Sequence, residues 1–374
     1  MRPGRVPQAA VRGYMTHANM HPSAVQLCSH LGRIDRRECA ALQRCSLVYY
    51  QGLLQLQTIN APMNIRWPGP TRWSGLPTLL GQGSSCVRFV MFHGIGGPGF
   101  TTPDFVRQLR CFDFAFDVVS IDAALEFLAG GSRRSGKGKR AKLVLTFDDG
   151  LVNHAQVVYP LLQRMKLPAI FYVCPGLADT GAWLWPHEAR QRLRSLAPKA
   201  LHDLSARHRW PSAQVNPVVE WMKGLENSDR GRVLDNIRSA TPGFKPSASE
   251  REQFDVLNWD QLRSLDPGLV TIGSHTVSHP IMTALDDNSL DYELQRSRAW
   301  LEEGLQRPIE HFCYPNGSQN TRVRAAAARH YRSAVTTESG YAHADTDLRD
   351  LPRVNGDPRM SRAMWKLYRP YKPS

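Results

Sequence analysis

The amino-acid sequence predicts an α/β fold, a distorted or incomplete (β/α) barrel of about seven strands that is interrupted by a helical insertion. Short apolar runs rich in Val, Ile, Leu and Phe alternate along the chain with amphipathic segments. Polar residues capable of chemistry directly follow several of these runs. In parallel α/β proteins, reactive groups gather in this way at the carboxyl ends of the strands.

Each predicted strand is short, apolar and bounded by turn-forming residues. The predicted strands lie at 87–93, 118–120, 142–147, 168–173, 270–274, 309–314, 332–336 and 351–354. The predicted helices, which carry apolar residues on one face, lie at 101–109, 122–128, 153–166, 259–265, 287–305 and 325–328. The first of them begins at a Thr-Thr-Pro-Asp sequence, which is typical of a capped helix start. This order predicts parallel strands joined by helical crossovers.

The domain boundaries follow from where this alternation starts and stops. We expect residues 1–86 to be a poorly ordered N-terminal extension, with Met63 as an alternative start of translation. Residues 87–358 form the predicted catalytic domain, and 359–374 a C-terminal tail. Residues 176–255 are polar, with helical stretches, and predict an insertion over the barrel rim. Its tryptophans are expected to be packing residues, with stacking on sugars as the alternative: Trp183, Trp185, Trp210 and Trp221.

Composition narrows the class of protein. The chain of 374 residues is 42% hydrophobic and 21% charged, as expected for a globular protein, but its formal net charge is +14. That charge indicates either a generally basic surface or attraction to polyanions, and the basic loop at 130–140 fits a solvated linker better than a phosphate-binding loop. The seven cysteines form no regular framework, and no apolar stretch approaches the roughly 20 residues that span a bilayer. We therefore expect reduced thiols in a cytoplasmic protein.

Two motifs suggest a metal site. Asp148 and Asp149 follow the strand at 142–147, while His275 and His279 follow the strand at 270–274. We expect the two histidines, four residues apart at the start of a helix, to face the same way. Neighbouring aspartates in an extended chain point apart, so that one can ligate an ion while the other acts as a base. A divalent ion with three protein ligands and an open position is suited to hydrolysis.

The same residues resemble the motifs of the polysaccharide deacetylases of carbohydrate esterase family 4. The segment TFDDG resembles the first motif of that family, SHTVSHP the second and FCYPNG the third. The resemblance extends over about 89–354, with the insertion at 176–255. It implies metal-dependent hydrolysis of the N-acetyl group of an acetylated amino sugar in a glycan or oligosaccharide, with release of acetate.

The resemblance also implies roles for individual residues. Asp148 would be the general base, and the ligands of a divalent metal ion, expected to be Zn²⁺, would be Asp149, His275 and His279. Arg353 would orient the base, and the backbone of the third motif would bind the substrate oxyanion at Tyr314, Pro315 and Asn316. The third motif lacks its usual Arg, and the C-terminal Leu-x-x-His that supplies the general acid has no counterpart. For protonation of the leaving amine, we favour His93 over His343 or a water molecule.

Two alternatives remain open at this stage. The same fold could carry a C–N hydrolase for a small non-sugar amide, or a non-catalytic basic module that binds glycans. We expect no nucleic-acid partner, because aromatic residues are not interleaved with the basic loop. The sequence leaves the oligomeric state undetermined.

Overall fold

Parallel strands form the centre of the protein. The computed structural model describes residues 85–130, 140–369 and Tyr371. The strands within these ranges are β1 Val87–Phe92, β2 Asp117–Val118, β3 Lys142–Phe147, β4 Ala169–Val173, β5 Val270–Ser274, β6 His311–Cys313, β7 Ser333–Val335 and β8 Val354–Asn355. Their order in the sheet is β7-β6-β5-β4-β3-β1-β8, and β2 pairs with β3 beside this path. All of these pairings are parallel.

The sheet curls until its two edges approach each other at the segment 351–355. Leu351 forms a parallel bridge with Val335 of β7, and Val354, three residues later, pairs with Val90 of β1. One short segment thus contacts both edge strands, and the ring closes irregularly. This architecture confirms the predicted distorted or incomplete (β/α) barrel with about seven strands.

Alternation along the strands sorts the core into an inner and an outer layer. In β3, Leu143 and Leu145 pack outwards in the large cluster that includes the surrounding helices, whereas Val144 packs in a second cluster. The second cluster fills the interior of the barrel. Its members come from strands around most of the ring and from the segment before β8: Val87, Phe89, Val144, Ile170, Tyr172, Cys313, Val335 and Leu351. Because Thr146 and Asp148 continue the parity of Val144, the side chain of Asp148 is directed over the top of the barrel interior.

Helices surround the sheet. They are α1 Thr102–Ala115, α2 Ile121–Ala129, α3 Tyr159–Met165, α4 Pro175–Thr180, α5 Trp185–Arg194, α6 Pro198–Arg207, α7 Val215–Lys223, α8 Asn227–Ala240, α9 Ala248–Phe254, α10 Trp259–Ser264, α11 Asp287–Leu305, α12 Thr321–Ala328 and α13 Met360–Tyr368. Thr101 caps α1 by accepting a hydrogen bond from the Asp104 amide at 3.3 Å, as its sequence predicts. Among the described residues, none of the helices has the length and apolar character needed to cross a bilayer.

The insertion has a core of its own. Helices α5 to α8 pack around buried apolar residues such as Leu193, Val219 and Ile237. Trp185 and Trp210 are 9% and 8% exposed and belong to this core, so that the expectation of packing tryptophans is confirmed for these two.

Several segments differ from their predicted form or lie outside the described residues. The helix expected at 153–166 begins with a π-helical turn at His154–Val158 before α3. Residues 359–374, expected to be a tail, include α13, whose Leu367 carbonyl accepts a hydrogen bond from buried Arg88 at 2.7 Å. The predictions for residues 1–84 and for the basic loop at 131–139 fall outside the described residues.

Close packing in the barrel interior predicts that a side chain at Gly273 destabilises the protein. A Cβ atom at this position would lie 2.5 Å from the ring of Tyr172 and 3.0 Å from the His311 carbonyl oxygen. We expect Gly273→Ala to lower the free energy of unfolding by about 1–3 kcal/mol, because the buried ring must shift. Chemical denaturation measures this loss.

Gly231 provides the matched control. It lies within α8, and a Cβ there would meet nothing within 4 Å. Gly231→Ala should raise stability by about 0.5–1 kcal/mol, since alanine favours the helical backbone. A Gly273→Ala protein as stable as the parent would show that the packing between Tyr172 and Gly273 is looser than described.

Candidate active site

A cleft of about 180 Å³ lies at the carboxyl ends of the strands. The barrel and the insertion both contribute to its lining, which comprises His93, Asp148, Asp149, Leu184, Pro186, His187, Arg190, Lys223, His275, His279, Asn316 and Thr337. The two motifs singled out in the sequence therefore meet in one place, although they are more than 120 residues apart. Most of the predicted site residues lie here as well.

Asp149, His275 and His279 form a buried cluster. Oδ1 of Asp149 lies 3.5 Å from Nε2 of His275 and 3.6 Å from Nε2 of His279. One ligating atom from each of the three side chains lies within 4.8 Å of the others. His275 donates Nδ1–H to the Cys313 carbonyl at 2.7 Å, which leaves Nε2 directed at Asp149.

The geometry of this cluster fits a divalent metal ion. The distances of 3.5 and 3.6 Å are too long for good hydrogen bonds. They match the separation of about 3.3–3.6 Å between ligands that surround one ion tetrahedrally at ~2.0–2.2 Å. One carboxylate and two imidazoles are also a common donor set for catalytic metals. Two further groups among the described residues also bring three potential ligand atoms within 4.8 Å of one another. These groups are Asp148 with His275 and Cys313, and Asp122 with Glu310 and His311.

The backbone that carries the two histidines is a strained loop. The expectation that His275 and His279 begin a helix is wrong, because Thr276 and His279 have left-handed φ angles of 68° and 59°. The imidazoles still face each other, with ring centroids 4.9 Å apart. Asp149, which follows β3, and Asn316, which follows β6, also have positive φ, at 77° and 54°. Such strain persists only where the surrounding structure fixes the chain, which is typical of functional sites.

Glu293 of α11 holds the histidine loop in place. Its carboxylate accepts hydrogen bonds from the amides of Val277 at 2.7 Å and Ser278 at 3.2 Å, and from the Ser278 hydroxyl at 2.7 Å. The sequence analysis missed this residue, because one acidic residue in an amphipathic helix is indistinguishable from a solvent-exposed one.

The insertion contributes a second set of contacts to the cluster. The Trp185 indole donates a hydrogen bond to the His279 carbonyl at 3.2 Å. Nε2 of His187 lies 3.7 Å from Oδ2 of Asp149, and its ring stacks on Phe254 with centroids 4.8 Å apart. The sequence analysis also missed His187, whose only indication was its place in the segment Trp-Leu-Trp-Pro-His of the insertion.

The ionisation of the cluster follows from its burial and charges. Burial alone would raise the pKa of Asp149, but the neighbouring imidazoles, His187 and His275 foremost, hold it well below its usual range. Burial and the adjacent His275 lower the pKa of His279 to about 3, so that this ring is neutral and ready to ligate. Burial disfavours the charged form of His275, yet Cys313 and Asp149 raise its pKa above the ordinary value. A cation must displace that proton, and its affinity therefore falls as the pH falls.

Asp148 is held by Arg353 rather than by the histidines. The guanidinium donates to both carboxylate oxygens at 2.7 Å, and its other N–H groups reach the Thr336 carbonyl, the Thr146 hydroxyl and the Cys313 sulfur. All five donors are thereby used while Arg353 is 1% exposed. Arg353 lies in the segment directly before β8.

This pairing keeps Asp148 ionised. Burial alone would raise the pKa of the carboxyl group, but the charge and hydrogen bonds of Arg353 outweigh that effect and lower it. The bidentate contact also fixes the plane of the carboxylate. Asp148 and Asp149 are adjacent in sequence, yet one is bound by a guanidinium and the other by imidazoles.

His93 and His343 occupy opposite ends of the barrel. His93 follows β1 and lines the cleft, and its carbonyl contacts Nε2 of buried His154 at 3.0 Å. Burial lowers the pKa of His154 to about 4, so that this ring is neutral. His343 follows Ala342, which bridges to Val87 at the start of β1. His343 therefore lies about 20 Å from the end of this strand, and it is excluded as a proton donor in the cleft.

The third motif reaches the cleft through Asn316. The Tyr314 side chain is buried in the outer core, where its hydroxyl donates to the Arg349 carbonyl at 3.0 Å, and its amide donates to Val335. Pro315 is buried and has no amide hydrogen. Of the three residues predicted to bind substrate, Asn316 is the one that lines the cleft.

Comparison with known proteins places this architecture in a sequence family. The profile of the polysaccharide deacetylase family matches residues 135–219 and 231–335, which together are just over half of the chain. A Bacillus subtilis (strain 168) protein provisionally named as a polysaccharide deacetylase, YxkH, is 26% identical over 144 residues. That match covers 36% of this chain and 52% of YxkH, so the chain spans about half the length of this curated relative.

A solved structure shares the fold. The Streptococcus pyogenes deacetylase PplD, determined in complex with acetate, superimposes with a TM-score of 0.51 at 19% identity, over 76% of this chain and 99% of PplD. IcaB from Ammonifex degensii has a TM-score of 0.49 at 17% identity, over 75% of this chain and 97% of IcaB.

Loss of the ion pair between Asp148 and Arg353 is expected to lower the free energy of unfolding. We expect Arg353→Met to cost about 3–5 kcal/mol at neutral pH, because it leaves a buried carboxylate without its counter-charge. Adding Asp148→Asn should restore much of that loss, since no charge then remains unpaired. Urea denaturation of the parent, the two single variants and the double variant measures the coupling.

The pH dependence of the same variants provides a control with a definite sign. In the parent the pKa of Asp148 is lowered, so its contribution is present above the ordinary Asp value and is lost as the pH falls below it. In Arg353→Met, burial without a partner raises the pKa of Asp148. The loss of stability relative to the parent should therefore shrink as the pH falls. If the loss of stability in Arg353→Met is the same at every pH, it does not come from an unpaired buried carboxylate at Asp148.

Proposed function

The chain belongs to the polysaccharide deacetylase family, and from this premise we propose that it hydrolyses the N-acetyl group of an acetylated amino sugar in a poly- or oligosaccharide. Water adds to the acetyl carbonyl carbon, the C–N bond breaks, and acetate and a free amine are released. The proposal rests on the different surroundings of two adjacent carboxylates. Asp148 is paired with a guanidinium, whereas Asp149 lies among imidazoles. Base and ligand functions are thereby separated within one cleft.

Asp149, His275 and His279 are the proposed ligands of a divalent ion, which we take to be Zn²⁺. When bound, the ion supplies a Lewis acid that polarises the acetyl carbonyl and makes water more acidic. The second-layer contacts of the protein support this assignment. The Cys313 carbonyl orients His275, while Glu293 and Trp185 hold the loop that carries His279.

Asp148 is the proposed general base. Its lowered pKa keeps it ionised at neutral pH, and each carboxylate oxygen retains a lone pair beyond the one used by Arg353. It accepts a proton from the attacking water at one of these oxygens. Arg353 acts through Asp148, by fixing its orientation, and is therefore a positioning residue.

Protonation of the leaving amine is assigned to His93. This imidazole is exposed in the cleft on the side of β1, and its backbone is fixed by His154. His187 lines the same cleft from α5 and is the competing proton donor. Asn316 lines the cleft and is the proposed donor of a hydrogen bond to the carbonyl oxygen as negative charge develops there.

A hydrolase for a small non-sugar amide is the second candidate. The modest volume of the cleft, about 180 Å³, favours it, because a small amide would fit without an extended groove. A non-catalytic glycan-binding module is disfavoured by the complete set of three metal donors and a charged base.

Acetate release tests the proposed function. The protein is incubated with N-acetylated oligosaccharides of several lengths and with small acetamides, each with and without a chelator. We expect acetate from the oligosaccharides, and its loss on chelation followed by recovery with added Zn²⁺. Turnover of small acetamides alone would favour the second candidate, and binding without any turnover would favour the glycan-binding module.

Metal binding separates the proposed ligands from the proposed base. His279→Ala should lower both Zn²⁺ affinity and turnover, because it removes one of three ligands. Asp148→Asn should abolish turnover while it leaves bound Zn²⁺ near the parent level, since the amide can still fill the same space. Calorimetric titration with Zn²⁺ measures affinity, and His202→Ala on the exposed face of α6 is the control. Unchanged Zn²⁺ affinity in His279→Ala would refute the ligand assignment.

Leaving-group chemistry distinguishes the proposed acid from its competitor. An amine must be protonated to leave, whereas 4-nitrophenolate leaves without a proton. His93→Gln should therefore lose about 10²–10⁴-fold in turnover of an N-acetyl sugar but little in turnover of 4-nitrophenyl acetate. His343→Gln, at the other end of the barrel, is the matched control. If His187→Gln shows this selective loss and His93→Gln does not, the acid is His187.

A further inference from the structure

The insertion has a cavity of its own, of about 540 Å³, next to the proposed active site. It lies between α5, the end of α8 and the segment that leads to α9. Its lining comprises Gln191, Arg194, Ser195, Leu196, Ala240, Thr241, Pro242, Gly243, Phe244, Lys245 and Glu250. Neither the proposed metal ligands nor the proposed base lies among these residues.

Helix α5 forms a wall of both the cleft and the cavity. His187 and Arg190 line the cleft, while Gln191 and Arg194 line the cavity. Arg190, Gln191 and Arg194 lie three, four and seven residues after His187 and so share one face of the helix with it. At 1.5 Å per residue, His187 and Arg194 are about 10 Å apart along the helix axis. A chain-like ligand bound in the cleft could therefore continue along α5 into the cavity.

The lining of the cavity carries a net positive charge, with two basic side chains and one acidic side chain. Within the described residues, neither Arg194 nor Lys245 has a carboxylate within ion-pair distance, and neither makes a side-chain hydrogen bond. Glu250 is the acidic residue of the lining, and its Oε2 is engaged in capping α9 through Ser247, at 2.8 Å from the amide and 2.7 Å from the hydroxyl. The charge of Arg194 also acts on Arg190, whose pKa is lowered first by burial and then by this neighbour.

A largely buried glutamine without a hydrogen-bond partner is the second independent observation. Gln191 is 7% exposed and lines the cavity, and its side chain forms no hydrogen bond with the described residues. Its amide atoms are not among the fully buried side-chain atoms that lack a partner, so they are open to the cavity. A ligand with hydroxyl or carboxylate oxygens in the cavity can accept or donate a hydrogen bond there.

The walls of the cavity are held by an ion-pair network. The carboxylate of Glu188 accepts hydrogen bonds from Arg192 at 2.8 Å and from Arg238 at 2.7 and 2.9 Å. Arg192 also donates to Thr241 and lies over the ring of Phe244, 4.9 Å from its centroid. These contacts tie α5 to α8 and to the next segment, so that the site is preorganised.

From these observations we propose that the cavity binds an anionic sugar residue of the substrate glycan, a residue that bears a carboxylate or a phosphate. Arg194 and Lys245 bind the anionic group, and Gln191 binds an oxygen of the same residue. The proposal rests on the proposed function, and it deepens that function by assigning the substrate class to acidic glycans. The acetylated sugar lies in the cleft, and the acidic residue lies along α5.

Matched oligosaccharides test the proposal. The metal-loaded full-length protein is assayed for acetate release from three N-acetylated trisaccharides, which differ in carrying a neutral hexose, a hexuronic acid or a hexose phosphate beside the acetylated sugar. We expect a lower KM for one or both acidic substrates, and this preference should weaken as salt rises. The carboxylate and phosphate arms identify the anionic group.

Substitution then assigns the preference to the cavity. The double variant Arg194→Gln with Lys245→Gln should raise KM for the preferred acidic substrate about tenfold, as for the loss of a charge-assisted hydrogen bond. Arg207→Gln on α6, which changes the charge but lies outside the cavity lining, should keep the parent's ratio of acidic to neutral KM. Gln191→Leu should raise KM for the acidic substrate as well.

The failure of this inference is distinguishable from failure of the proposed function. Acetate release with equal KM for neutral and acidic substrates would overturn the inference and leave the function intact. The same would follow if Arg207→Gln lost the preference as fully as the double variant. If no substrate releases acetate, the function fails, and calorimetric binding of the same trisaccharides to the parent and the double variant decides the inference.

Discussion

The ion pair between Asp148 and Arg353 is the contact on which the site depends. It joins the end of β3 to the segment before β8, and Arg353 also holds the Thr336 carbonyl beyond β7. The same segment closes the ring, since Leu351 bridges to β7 and Val354 pairs with β1. One buried guanidinium therefore fixes both the closure of the barrel and the orientation of the proposed base.

The insertion is the second determinant of the site. Trp185 binds the carbonyl of His279, and His187 approaches the free oxygen of Asp149. From the other side, Glu293 of α11 accepts two amides of the same loop. A loop with positive φ at Thr276 and His279 is costly in isolation, and these contacts from two sides hold it. The insertion thus completes the site and also provides the cavity along α5 that we assign to an acidic sugar.

Much of the fold and of the site could be predicted from the sequence. The rest could not be predicted, for physical reasons. Apolar runs predicted the strands, and the polar residues that follow them predicted that Asp148, Asp149 and His275 lie at the carboxyl ends of strands. Spacing could not reveal that His275 and His279 lie on a strained loop, because helical and looped segments can bring the same residues together. His187 and Glu293 were missed because their roles arise from long-range contacts across the insertion and α11. The backbone of the third motif was expected to bind the substrate at Tyr314, yet the Tyr314 amide donates to the Val335 carbonyl and the side chain lies in the outer core.

The central claim is that Asp149, His275 and His279 bind one divalent ion while Asp148 stays with Arg353. Anomalous X-ray diffraction at the zinc absorption edge, from crystals grown with Zn²⁺, tests it most directly. We predict one strong peak about 2.0–2.2 Å from an oxygen of Asp149 and from one nitrogen of each histidine, with the contact between Asp148 and Arg353 intact. A peak that is ligated by Asp148, or that lies instead at Asp122, Glu310 and His311, would contradict the account.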